Sequence, residues 1–87
     1  MTNTTKHAVS RPAGYGIKTE RTPKGEVWYQ GYVVTKDTVV AVYSEDRVTT
    51  LSFVKEGMYY TRHFDRGFTP RGLVTLAVRF AREIFND

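Results

Sequence analysis

The chain has 87 residues, a mass of 10.0 kDa, a formal net charge of +4 and no cysteine. That composition excludes a disulfide framework and a thiolate metal site, and no stretch approaches the ~18 apolar residues of a membrane span. At this length surface scaling gives burial of roughly 64% of the unfolded chain's surface, close to the lower limit for a core that stands alone.

In chain order, residues 1 to about 13 lack periodicity, carry Lys6 and Arg11, and run into Arg11-Pro12-Ala13-Gly14. They predict a flexible basic tail over residues 1–13, ahead of one domain over residues 14–87. The polar opening Met1 to His7 lacks the apolar run of a signal peptide, so the expected location is cytoplasmic. From Tyr15 to Arg21 alternation predicts a short, polar edge strand, and Thr22-Pro23-Lys24-Gly25 reads as a turn, because Pro presets φ and Gly permits φ > 0.

A long strand is expected from about Glu26 to Thr35, turned by Lys36-Asp37 into Thr38–Tyr43. Ser44-Glu45-Asp46 then turns into Arg47–Val54, and Lys55-Glu56-Gly57 into Met58–Phe64. Connections this short make successive strands antiparallel neighbours, a meander. Asp65-Arg66-Gly67 breaks the last strand, Thr69 is a good N-cap, and Pro70 suits the first helical position. Leu73, Leu76, Ala77, Phe80, Ala81 and Ile84 recur at helical spacing to about Phe85, with Val74, Val78 and Phe85 widening the stripe. The fold class is α+β: a four- or five-stranded antiparallel meander with one C-terminal helix packed across one face.

One helix covers one face, yet several strands are apolar on both. In Val27 to Val34 one side holds Val27, Tyr29 and Val33 and the other Trp28, Tyr32 and Val34. If Trp28, Tyr32, Val40, Val42, Leu51 and Phe53 meet the helix, then Tyr29, Val33, Val39, Ala41 and Tyr43 line the open face as an interface; a slip of one residue inverts the assignment. The uncovered face and the small core together predict a homodimer.

Charge is unevenly spread. Lys6, Arg11, Lys18, Arg21 and Lys24 oppose only Glu20 near the start, and Arg62, Arg66, Arg71, Arg79 and Arg82 oppose only Asp65 towards the end, while the centre leans acidic. Basic clusters of this kind suit phosphates, through release of counterions. Arg71, Thr75, Arg79 and Arg82 fall on the helix side away from the apolar stripe, where Glu83 lies four residues from Arg79. Arg66-Gly67-Phe68-Thr69, at the helix N-terminus, is the favoured anion position.

The patterns that carry catalysis are missing. His7 and His63 have no carboxylate or Cys at ligand spacing, Glu45 and Asp46 diverge as neighbours, and Gly14-Tyr15-Gly16 lies outside any strand-to-helix loop. The expectation is a protein that is no enzyme, with no metal, cofactor, membrane or small-molecule substrate. Tyrosines on a sheet beside basic residues suit stacked bases and a tracked backbone. The favoured reading is therefore a nucleic-acid-binding module (DNA-binding included) that uses Lys18, Arg21, Lys24, Arg66, Arg71, Arg79 and Arg82 with the sheet aromatics. Tyr and Trp are also enriched at protein interfaces. In general build the chain resembles the compact, cysteine-free, single-domain proteins of bacteriophages and mobile elements, a likeness that no residue motif carries. It implies the alternative: an inhibitor or adaptor that binds a host protein through its apolar sheet face.

Overall fold

The computed structural model describes residues 13–86. Five strands, β1 (Gly14–Arg21), β2 (Val27–Val34), β3 (Val39–Glu45), β4 (Val48–Lys55) and β5 (Met58–Phe64), form one antiparallel sheet in the order β1-β2-β3-β4-β5, and a single helix, α1 (Pro70–Phe85), follows. The meander and the C-terminal helix are those the sequence predicts. Of the expected tail only Ala13 is among the described residues, where its N–H donates to the Val34 carbonyl at 2.7 Å; Lys6, His7 and Arg11 lie outside them.

Each turn is closed by its own chemistry. Gly25, at φ +89°, allows the Thr22 N–H to reach the Glu26 carbonyl at 2.9 Å, while Thr22 Oγ1 accepts from the Glu26 N–H at 3.1 Å. Between β2 and β3 the buried Thr35 hydroxyl accepts from the N–H groups of Asp37 and Thr38 and donates to the Thr38 carbonyl. Glu56 and Gly57 both have positive φ, 50° and 80°, the backbone of the two-residue hairpin turn whose twist matches that of the flanking strands.

The β3–β4 connection differs from expectation. Ser44 and Glu45 continue β3, and the turn is Asp46-Arg47. The reason is long-range. Ser44 and Thr49 are fully buried, and their hydroxyls are 2.7 Å apart. Thr49 Oγ1 gives its proton to the Arg66 carbonyl at 2.6 Å, so the Ser44 hydroxyl must donate to Thr49, and its lone pair accepts from the Phe68 N–H at 2.8 Å. Four groups are satisfied in line, and the loop ahead of the helix is clamped to the sheet. Gly67 sits inside that clamp, where a Cβ would strike the Glu45 carbonyl oxygen.

Helix α1 begins at Thr69, whose side chain accepts from the Gly72 N–H at 3.3 Å, with Pro70 in its first turn. It packs across β2, β3 and β4. At its far end Lys55 donates to the Ile84 carbonyl at 3.1 Å and lies over the Phe85 ring, which satisfies a terminal carbonyl and suits the negative end of the helix. The core between the layers is Val33, Val40, Val42, Leu51 and Phe53 from the sheet with Leu73, Ala77, Val78, Phe80 and Ala81 from the helix. Each large side chain among them contributes on the order of 1.5–3 kcal/mol relative to exposure. Phe53 is the hub, with ring centroids 4.9 Å from Phe80 and 5.6 Å from both Tyr60 and Phe85.

The helix is rotated from the predicted stripe. Val78 is buried, whereas Leu76 and Ile84 are only half-buried. The side bearing Leu76 also bears Glu83, one heptad on, and faces β5, where Glu83 pairs with Arg62 at 2.8 Å and not with Arg79. That rim is shallow, so Leu76 keeps part of its surface.

Candidate functional site

The register places every strand residue on a face. Pairing of Val34 with Val39 and Val33 with Val40 puts Val33 beside Val40 under the helix, where it is 0% exposed. Tyr29 shares that side and packs against the core. Trp28 and Tyr32 therefore lie on the open face, the reverse of the expected grouping on β2, while Val39, Ala41 and Tyr43 do lie there. Tyr29 and Val33 are withdrawn from the interface set for this reason. The signal was present in the sequence: a two-residue turn at Lys36-Asp37 already sets Val33 opposite Val40.

The open face is built in rows. One end holds Val34, Val39, Val54 and Tyr59, since Val34 pairs with Val39 and Val54 with Tyr59. The next row runs Gly16, Tyr32, Ala41, Ser52, Thr61. The third runs Lys18, Gln30, Tyr43, Thr50, His63, in which Thr50 Oγ1 and His63 Nδ1 are 3.1 Å apart. Beyond it Trp28 rests against Tyr43, centroids 5.7 Å apart. Val39, Val54 and Tyr32 are about half exposed, and Tyr59 is 70% exposed.

Two of these rings lie flat. Tyr32 reaches over Gly16, where a Cβ would meet the outer end of its ring at 2.9 Å. Tyr59 turns its hydroxyl to those of Ser52 and Thr61, whose hydrogen bonds hold its phenol below the ordinary tyrosine pKa against a smaller opposing effect of burial. Tyr43 goes the other way: burial, then its hydrogen bond to Glu45 Oε2 at 3.0 Å and the charge of that carboxylate, raise its phenol above the ordinary value.

Charged side chains on this face, among the described residues, are Lys18, Glu20 and Glu45, and Lys18 lies 3.7 Å from Glu20. The other basic residues singled out are elsewhere. Arg21 ends β1 and Lys24 sits in the β1–β2 turn, both exposed. Arg66 covers the Phe68 ring at 4.5 Å. Arg71 and Arg79 are exposed on the outer side of α1, and Arg82 on the same helix is half-buried. The structure thus separates Tyr32 and Tyr59 from most of the cations by the thickness of the sheet, while Tyr15, 59% exposed, stands on the helix side and lines a pocket with Arg71.

The anion position at the helix start is also altered. The N–H groups of Phe68 and Gly72 are engaged by Ser44 and Thr69, and the pocket beside Gly67, Phe68 and Thr69 is shared with Glu45 and Asp46. The Glu45 and Asp46 backbone carbonyl oxygens approach Gly67 there, so a phosphate would meet acceptor oxygens. A neighbouring cleft of about 290 Å³ between the turns is lined by Trp28 and Tyr43 and by Glu26, Glu45 and Asp46, with Arg47 as its cation. Among the described residues no three His, Asp or Glu side chains are grouped to hold a metal, and no helix is long and apolar enough to cross a membrane.

No known protein family matches this chain, and neither a curated protein nor a solved structure resembles it significantly.

Proposed function

We propose that this protein is a non-enzymatic binding module that docks on a protein surface, self-association included, through the open face of its sheet, in the manner of an inhibitor or adaptor. One observation carries the reading. Exposed Tyr32, Val39, Val54 and Tyr59 share a face with Ala41 and with few charges, in a chain whose net charge is +4. An apolar, nearly neutral surface recommends a partner of the same character, since burying it costs little desolvation of charge.

A second reading keeps nucleic acid as the partner and moves it to the helix layer. Arg71 and Arg79 favour it, being exposed on a helix in which Glu83 is the one acidic residue. Exposed Tyr15 lines a pocket with Arg71, so a base has one ring to stack on there, but the grip would be mainly on phosphates, weakly dependent on sequence and steeply weakened by salt.

Mobility shifts with single- and double-stranded oligonucleotides at 50 and 200 mM salt separate the two readings. The protein-docking reading expects no complex at either salt concentration. A complex at 50 mM salt that weakens steeply at 200 mM and is abolished by Arg71→Glu with Arg79→Glu, while Ala41→Arg leaves it intact, would overturn that reading in favour of the second.

A further inference from the structure

The rows of the open face are complementary to themselves. We propose that a second copy of this chain covers the face, packed sheet on sheet about a two-fold axis that runs along β3; this rests on the reading that the face docks protein. Such an axis keeps each row in line and reverses strand order, so β2 lies over β4 of the partner subunit and β3 over its own copy. The apolar end then meets the apolar end, and Ala41 and Val39 sit on the axis facing their counterparts. An axis across the strands would instead lay the Val39 row on the Glu45 row.

The rings decide for a second copy over an unrelated surface. Tyr32, lying over Gly16, comes to lie opposite Ser52 and Thr61 of the partner subunit, and Tyr59 of the partner subunit stands beside them on the same face, one row away along its strand. Symmetry gives the same stack twice, one on each side of Ala41. Two rings laid flat between facing sheets fit the roughly 10 Å at which sheets pack, and offset-stacked rings are favourable.

Area and charge agree. Five strands spaced about 4.8 Å apart, each some seven residues of about 3.3 Å, give a footprint of roughly 550 Å² per copy. Two footprints pass the roughly 1,000 Å² that a specific interface needs. Lys18 is paired with Glu20, and most other cations lie on the helix layer, turned away from the partner. The unfavourable element is Glu45 at the end of β3, which lies near its own copy close to the axis.

The chain has no cysteine, so single thiols report the arrangement cleanly. Sedimentation at micromolar concentration should show a species of twice the 10.0 kDa chain mass. A short thiol-to-thiol crosslinker should join Ala41→Cys chains and leave Thr75→Cys, on the outer side of the helix, unjoined. Ala41→Arg, checked for its fold by circular dichroism, should raise the dimer Kd by at least about tenfold. Glu45→Gln, or added salt, should tighten the dimer.

A dimer joined through Lys18→Cys but not Ala41→Cys would mean pairing along the β1 edge and would overturn the proposal. A 10.0 kDa species alone would overturn it as well. In that case binding of an apolar fluorescent dye that Ala41→Arg abolishes would leave the face open to a different protein, whereas no dye binding would remove the docking reading too.

Discussion

On β2 and β3 the two sides of this sheet are composed nearly alike and end up in different physical states. On β3, Val40 and Val42 are buried while Val39 and Ala41, their immediate neighbours, are exposed. The difference comes from the single helix, which can satisfy one side only. The covered side adds Phe80, Leu73 and Ala77 to its own Leu51 and Phe53 and becomes a core; the open side keeps Tyr32, Val54 and Tyr59 in solvent. Apolar composition thus sets what a face can do, and topology decides which face does it.

The comparison is broken most severely by Phe80→Ala. It removes the ring that sits 4.9 Å from Phe53 and 4.6 Å from the Arg62 guanidinium, and truncations of this type cost roughly 3–5 kcal/mol. Urea unfolding should show that loss, and Ala41→Arg in the same experiment should stay within about 0.5 kcal/mol for the unassociated chain, as exposed substitutions do. Equal losses at the two positions would show that the open side is core after all.

Thr49→Val should be intermediate. It keeps the shape of the side chain but leaves the Arg66 carbonyl and the Ser44 hydroxyl short of a partner, at about 1–3 kcal/mol for a buried polar group so orphaned. Unchanged stability in thermal or urea unfolding would mean that the hydroxyl chain holds nothing.

The smallest effect sharpens the open side itself. In an alkaline titration followed by absorbance, the phenol of Tyr59 should ionise before that of Tyr43, since their pKa values move in opposite directions. The folded-state pKa of Tyr43 lies above the unfolded value of about 10, so its contribution to stability is complete below that pH and is lost as pH rises through the folded pKa. Tyr43→Phe should therefore flatten the fall in stability above about pH 10.

Much of the fold was legible because it is encoded locally. Thr22 to Gly25, Lys36-Asp37 and Glu56-Gly57 mark turns by their backbone chemistry, and Thr69-Pro70 marks the helix start. What was not legible depends on contacts distant in sequence. Ser44 reads as a turn residue until Thr49, Arg66 and Phe68 supply its hydrogen bonds. Leu76 reads as core until β5 proves to be the rim. The composite of rings and cations looked like one site in the sequence, and only the register shows that Tyr32 and Tyr59 lie on one side of the sheet while Arg71 and Arg79 lie on the other.

The buried hydroxyls of Ser44 and Thr49 have a consequence for the uniqueness of the sheet. Hydrophobicity chooses poorly between the two sides of β3, where Val39, Val40, Ala41 and Val42 follow one another. Within these four residues a slip of one between β3 and its neighbours would merely exchange one aliphatic group for another. It would also carry the Ser44 hydroxyl to the opposite side, leaving the Phe68 N–H buried without its acceptor, at a cost of about 1–3 kcal/mol. Two small polar side chains at the end of a greasy hairpin thereby act as a register key: they penalise the misaligned sheet more than they strengthen the aligned one.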